Sequence, residues 1–197
     1  MRHHLSFAVA ALVATGALGD PITFTHSGTA AGTLDNVAFP ESAFTITATG
    51  QTNRRIDLPF NAGWFVHHDW AQIEIDGLGT YTFTTPTRTF VNNDLAIVGF
   101  SRAGPLPFDL FNGPGNNVLA SWEMLTSIEL LTGTGHTLQW SLLGAPNIVT
   151  SAGILRLTDS ASVATFGATV IPSPSTCAML ATGSIVLCRR RRKVHSS

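Results

Sequence analysis

The chain has 197 residues and a formal net charge of −1, but its charges are unevenly placed, since six of its eleven cations stand at the two ends, at Arg2 and in 189–193. The region from Asp20 to Asp159 holds five arginines, no lysine and all twelve acidic residues, which leaves it at −7. This balance excludes nucleic acid as a partner of that region, because binding to phosphates needs lysine and arginine.

The first 19 residues have the three parts of a secretory signal peptide. Arg2 precedes a short apolar core at 5–13, and the small residues at 17 and 19 predict a cut before Asp20. The apolar core is too short to cross a hydrocarbon layer of about 30 Å. The alternative interpretation is a buried N-terminal helix.

Between residues 20 and 170, apolar residues alternate with threonine at a period of two, which is typical of half-buried strands. The apolar run 95–100 predicts a central strand, Asp76-Gly77 predicts a hairpin turn, and 112–117 is the strongest predicted loop. Short, evenly spaced strands predict one all-β domain over 20–170, a β-sandwich of jelly-roll type, with a closed barrel as the alternative. The predicted strands are 22–26, 43–49, 70–75, 80–85, 95–100, 137–143, 153–157 and 163–170.

Residues 171–197 form a tail of three parts. Pro172, Ser173 and Pro174 begin it, an apolar segment follows at 176–188, and the basic cluster Arg189, Arg190, Arg191, Arg192 and Lys193 comes next. As a helix, the apolar segment covers about 20 Å, so it could anchor weakly in a membrane by tilt and local thinning. The cluster would remain on the cytoplasmic side. The alternative is a surface helix with a basic end.

This tail resembles the PEP-CTERM sorting signal of Gram-negative bacteria, with Ser173 where the family motif has glutamate. The resemblance implies processing by an exosortase, transient or retained anchoring in the inner membrane, and a destination in the cell envelope or the exopolysaccharide matrix. Segments 44–50, 77–84 and 109–114 also resemble the ectodomains of uncharacterised proteins that carry such tails. That likeness implies an exported β-domain and no particular activity.

Carboxylates are the first candidate chemical groups. Glu74 and Asp76 share one predicted strand face and could bind Ca²⁺, which takes six to eight oxygen ligands. Glu74 and Glu123 could form the acidic pair of a glycosidase. The alternative is an acidic face in solvent. Both cysteines lie in the tail, so the domain has no thiol nucleophile, disulfide or cysteine-ligated zinc.

The segment 67–69, His-His-Asp, is a second candidate. On a strand, His67 and Asp69 would share one side and His68 would point to the other. A metal site at His67 and Asp69 needs further ligands, such as His26 or His136, because zinc takes three or four protein ligands. The alternative is a polar loop before Trp70.

Aromatic residues offer a third candidate. Trp64 and Trp70 flank the histidines, and an exposed indole can stack on the apolar face of a sugar ring. The alternative is that both belong to the core, as most large aromatic residues do.

These observations favour an exported, non-catalytic surface or matrix protein that needs no cofactor and whose partners are an exosortase-type enzyme and extracellular polysaccharide. A carbohydrate-binding module is the first alternative and a glycan-acting hydrolase the second. A binding module predicts two exposed coplanar aromatic rings, and a hydrolase predicts two carboxylates converging in a cleft. A structural protein predicts buried tryptophans.

Overall fold

A computed structural model describes residues 19–104, 106–138, 140 and 146–173, and a long hairpin begins the fold. Its strands are β1 (Pro21–Leu34) and β2 (Val37–Gln51), in which alternate residues are buried. The turn residues Asp35 and Asn36 have φ angles of 50° and 68°, as a two-residue type I′ turn requires. The alternation therefore gives β1 and β2 one apolar and one threonine-rich face.

Eleven further strands and three short 3-10 helices follow within the described residues. The helices are Thr52–Arg54, Pro59–Asn61 and Asn117–Ser121. The strands are β3 (Arg55–Asp57), β4 (Gly63–His67), β5 (Trp70–Ile75), β6 (Gly79–Thr82), β7 (Thr87–Asn92), β8 (Ile97–Arg102), β9 (Phe108–Gly115), β10 (Ile128–Thr137), β11 (Ile148–Thr150), β12 (Gly153–Leu157) and β13 (Ser160–Val170).

The strands pair antiparallel in one curled sheet. Its order is β3-β4-β7-β8-β9-β10-β13-β1-β2-β5-β6, with β12 paired to the far end of β1 and β11 paired to β12. β1 is the central element, because it pairs with β2 along its length, with β13 over its first half and with β12 at its last residues. A bridge between Phe83 and Thr150 joins the segment after β6 to β11.

The curl brings β1 and β2 opposite β7, β8 and β9 across an apolar interior. The ring of His26 on β1 lies 6.0 Å from that of Phe100 on β8, and the ring of Phe44 on β2 lies 5.4 Å from that of Phe111 on β9. Two core clusters result. The first includes Phe44, Ile46, Ile73, Phe100 and Phe111, and the second includes Ile22, Phe24, Val66, Trp122 and Phe166.

The predicted all-β class is confirmed, and two predicted strands have the predicted bounds, Trp70–Ile75 and Gly153–Leu157. Alternation within Trp70–Ile75 places Ile73 and Ile75 on one face, and both are buried. The finer prediction of a jelly-roll sandwich stays a prediction.

Two local predictions need correction, and a third is tested only in part. The supposed loop at 112–117 is strand as far as Gly115, because β9 continues through the cis peptide bond between Gly113 and Pro114. The central buried strand predicted at 95–100 is confirmed as β8, but it begins at Ile97, and Leu95 lies in a turn with 72% exposure. Of the strand predicted at 137–143, Thr137 is the last residue of β10 and 138 and 140 lie outside any strand, while 139 and 141–143 lie outside the described residues.

Candidate functional site

Trp70 and Glu74 lie on the outer face of β5. Trp70 pairs with Thr49, the residue between them, Gln72, pairs with Thr47, and Glu74 pairs with Thr45. Outward residues on β1, β6 and β13 continue these cross-strand pairs on both sides. We call this surface the hydroxyl face; its residues are Thr23, Thr25, Ser27, Thr45, Thr47, Thr49, Trp70, Gln72, Glu74, Thr80, Thr82, Thr165 and Thr169.

The hydroxyl face is nearly uncharged. Antiparallel pairing places side chains about 5 Å apart across strands, and residues two apart along a strand are separated by about 7 Å. Ser27 and Thr165 are close enough to share a hydrogen bond of 2.6 Å between their hydroxyl oxygens. Glu74 carries the single formal charge among the residues that define the face, and Trp70 adds a 40% exposed indole at one end.

Trp64 is not part of this face. It lies on β4, which pairs with β3 and β7, whereas Trp70 lies on β5, which pairs with β2 and β6. The guanidinium carbon of Arg55 stands 4.0 Å from the centre of the Trp64 ring, and Arg55 also pairs with Glu123 at 2.9 Å. The two predicted stacking residues are therefore not brought onto one pair of neighbouring strands, and Trp64 already has a cation over its ring.

The other two tryptophans are core residues. Trp122 and Trp140 are 4% and 3% exposed. Each indole nitrogen donates a hydrogen bond to a main-chain oxygen, Trp122 to Thr126 at 2.9 Å and Trp140 to Leu110 at 2.6 Å. Their polar atoms are thus satisfied inside the fold, as buried indole groups normally are.

The candidate carboxylates have separate neighbours. Glu74 has Thr45 and Thr80 as its cross-strand neighbours, Asp76 is exposed in the turn after β5, and Glu123 is engaged by Arg55 near β3. Across the described residues, no group of three histidine, cysteine or acidic side chains is placed to hold a metal ion.

In the histidine segment, His67 and Asp69 share one side and His68 points to the other, as the alternation predicted. His67 and Asp69 are exposed, and Arg54 binds Asp69 at 2.7 Å. His68 turns inward and stacks on Phe100, with ring centres 5.5 Å apart. Its Nε2 lies 3.0 Å from the Thr89 hydroxyl and its Nδ1 lies 2.9 Å from the Thr87 hydroxyl.

His26 completes an interior histidine–threonine cluster, which we define as the buried residues His26, Thr87 and Thr89 and the half-buried His68. The Nε2 atom of His26 lies 3.1 Å from the same Thr89 hydroxyl that binds His68. Burial lowers the pKa of His26 to about 3. Burial also lowers the pKa of His68, and repulsion from His26 and His67 lowers it further. Both rings are therefore neutral at pH 7. The Thr89 hydroxyl can donate its proton to a nitrogen of one ring and accept a hydrogen bond from the N–H of the other ring.

The alternation along β1 indicates the inward position of one member of this cluster, His26. His26 follows Ile22 and Phe24 at the inward positions of β1, so the alternation placed it inside. Its partner could not be predicted, because the contact with Thr89 depends on the curl that brings β1 opposite β7.

The beginning of the predicted sorting tail lies beside the predicted mature N-terminus. The main-chain N–H of Ile171 donates to the carbonyl of Pro21 at 2.9 Å, and that of Ser173 donates to Asp20 Oδ1 at 2.7 Å. An open groove of about 330 Å³ borders this junction, lined by Gly19, Pro21, Gln51, Asn53, Arg54 and Ser173.

The rest of the tail, including Pro174 and the cluster from Arg189 to Lys193, lies outside the described residues, as does most of the predicted signal peptide. Within the described part of the chain, no helix is long and apolar enough to cross a membrane. Comparison with protein-family models, curated proteins and solved structures finds no match for the chain.

Proposed function

We propose that this chain is an exported, non-catalytic surface or matrix protein, delivered by its C-terminal tail through an exosortase-type enzyme. The observation that carries the proposal is the position of residues 171–173, where the predicted tail begins. β13 ends at Val170, and the Pro-Ser-Pro motif begins two residues later at the domain edge, next to Asp20. Both predicted export signals would then leave the domain at one place, and a sandwich-like body would be displayed beyond them.

The use of the polar groups within the fold supports a non-catalytic role. Of the proposed acidic pair, Glu123 is held by Arg55, and Glu74 has Thr45 and Thr80 as its cross-strand neighbours. His26 and His68 contact aromatic rings and threonine hydroxyls in the interior. A general acid or base must reach a substrate proton within about 3 Å, and these groups are instead used inside the fold.

Delivery is tested by changing all five residues from Arg189 to Lys193 to glutamine in the full chain. We expect the variant to lose processing and to appear in a different cell fraction, because the cations would hold the apolar segment at the cytoplasmic side. Arg156→Gln, a change of a half-buried arginine on β12 that lies outside the tail, is the control. Unchanged processing and location of the five-residue variant would contradict the proposal.

The hydroxyl face favours a second function, binding of neutral polysaccharide. Trp70 offers an exposed ring at the end of a row of hydroxyl and amide groups, and sugar rings bind through this combination of stacking and hydrogen bonds. The partner would be uncharged, because the region from Asp20 to Asp159 carries −7 and the face holds one carboxylate.

A polysaccharide panel tests this function, with tryptophan fluorescence as the readout and with Ca²⁺ or EDTA added in turn. Trp70→Ala should weaken binding about tenfold, the effect of losing a stacking contact of about 1.4 kcal/mol. Phe60→Ala is the matched control, since Phe60 is 99% exposed on the turn between β3 and β4. Equal binding by both variants would contradict a role for Trp70, and loss of binding in EDTA would place Ca²⁺ in the site.

A further inference from the structure

The two ends of the folded domain are joined by a set of hydrogen bonds around Asp20. The main-chain N–H of Asp20 donates to the Thr52 hydroxyl at 3.0 Å, and the Asp20 carbonyl accepts from the Thr52 N–H at 3.0 Å. Thr52 is only 7% exposed, so it is a fixed support. These two bonds orient the Asp20 side chain.

That side chain reaches the sorting motif. Asp20 Oδ1 accepts a hydrogen bond of 2.7 Å from the main-chain N–H of Ser173. A carboxylate that accepts from an amide forms a charge-assisted bond, which is stronger than a bond between neutral groups. Two residues earlier, Ile171 donates to Pro21 and extends the pairing of β13 with β1.

The contact removes the main-chain donors that a processing enzyme would use. Enzymes and other proteins bind extended peptides largely through main-chain hydrogen bonds. Over residues 171–173, the Ile171 and Ser173 donors are bound to the domain, and Pro172 has none. The first two motif residues are thus held against the domain and are not offered as a free extended strand.

We propose that Asp20 is a positioning residue that holds the start of the sorting motif on the folded domain, so that processing requires this contact to open. The proposal rests on the proposed delivery by the tail. It links the two export signals, because the residue that follows the predicted signal-peptide cut governs access to the C-terminal motif. Cleavage before Asp20 would convert its nitrogen to an ammonium group, which still donates to Thr52.

The contact itself is tested by hydrogen exchange at the Ser173 amide in the full exported chain, produced in a host without a processing enzyme. Asp20→Ala should speed exchange at Ser173 about tenfold, as expected for loss of a hydrogen bond to a charged group. Asp20→Asn keeps an acceptor oxygen but loses its charge, so its Ser173 exchange should lie between that of Asp20→Ala and that of the unchanged chain. Asp76→Ala removes an exposed turn carboxylate and is the matched control. Unchanged Ser173 exchange in Asp20→Ala would overturn the proposal.

Access is tested in a host that carries an exosortase-type enzyme. Asp20→Ala should be processed faster by the same factor as its Ser173 amide exchange. The reason is that the enzyme would act on molecules in which the contact between residues 20 and 173 is open. N-terminal sequencing checks that every variant is cut before residue 20. Faster exchange with unchanged processing would overturn the role of Asp20 while leaving delivery by the tail intact. Unchanged processing when Arg189 to Lys193 are neutralised would instead refute the proposed delivery, and the role of Asp20 with it.

Discussion

At the scale of single residues, the domain places two neutral histidines in an aromatic interior. The ring of His26 lies 4.9 Å from that of Phe166 and 6.2 Å from that of Phe111, and it shares the Thr89 hydroxyl with His68. A protonated ring in this position would bring a charge among apolar groups without a carboxylate partner in these contacts, and burial makes such a charge costly. The cluster is therefore stable only while both rings are neutral.

This arrangement predicts that the protein loses stability in acid. The pKa of His26 is 6.5 in the unfolded chain and about 3 in the folded one, so between these values the unfolded chain binds more protons. The free energy of unfolding should be fully retained above pH 6.5 and should fall by up to about 1.4 kcal/mol per pH unit toward pH 3. His68 acts in the same direction, since its pKa is also lowered.

Urea unfolding measured from pH 7.5 downward checks this dependence. His26→Phe should flatten the slope relative to the unchanged protein, because it removes the group whose pKa is lowered by burial. Parallel pH profiles for His26→Phe and the unchanged protein would contradict the assignment to His26.

At the scale of elements, close approach of strands depends on particular glycines. Gly135 on β10 lies opposite Ser162 on β13. A Cβ at Gly135 would overlap the Cβ of Ala164 and lie 2.9 Å from the Phe111 ring. By contrast, the nearest atoms to a Cβ at Gly167 on β13 are 3.9 Å away, an ordinary contact. The same substitution should thus have opposite effects at these two positions.

Gly135→Ala should destabilise the protein by about 1–3 kcal/mol, the usual cost of inserting a carbon into a filled core. Gly167→Ala should be neutral or stabilising by up to about 1 kcal/mol, because alanine loses less backbone freedom on folding. Thermal and urea unfolding of both variants measure the difference. Similar stabilities for the two variants would contradict the tight packing of β10 against β9 and β13.

The same local packing explains where sequence reasoning failed for β9. Asn112, Gly113 and Pro114 are typical loop residues, yet Gly113 has a φ of 120° and leaves no space for a Cβ beside Gly135. The glycine is therefore needed for the approach of β10 and not for a turn. The strand prediction was wrong at Leu95 because of a local hydrogen bond. The Leu95 N–H donates to Asn92 Oδ1, which holds Leu95 in a turn.

Predictions that depended on alternation alone were more successful. Trp70–Ile75 was found as a strand, and Glu74 was placed outward, because a period of two assigns both faces without knowledge of the partner strands. The histidine–threonine cluster and the Asp20–Ser173 contact were not found. Both join residues that are distant in sequence, and the curl of the sheet and the order of its strands bring them together.

At the scale of the whole molecule, the last strand completes the fold. β13 pairs with β1 and β10 and contributes Ala164, Phe166 and Ala168 to the core. Without it, β1 loses one of its neighbours and the second core cluster loses the ring that packs on Trp122. Among the described residues after Val170, Ile171 and Ser173 add the contacts with Pro21 and Asp20 described above.

A chain that ends at Asp159 should therefore fail to fold, while one that ends at Val170 should unfold cooperatively in urea. Loss of β-sheet circular dichroism and a red shift of tryptophan emission would report the exposure of Trp122 and Trp140, which are buried in the intact domain. A cooperative transition in the shorter chain would contradict the central place of β13 and the predicted domain boundary.

The pairing of β1 with β13 also sets the time at which this protein can fold. Ile22 pairs with Val170, so the first strand finds one of its partners at the opposite end of the domain. Contacts between such distant segments form slowly, because a long loop must close first. A chain that crosses a membrane with its N-terminus leading would present β1 to the far side long before β13 arrives. If the chain is exported as we propose, this topology would leave it unfolded until nearly all of the domain has crossed, so that β13 would complete the fold just before the proposed sorting tail arrives.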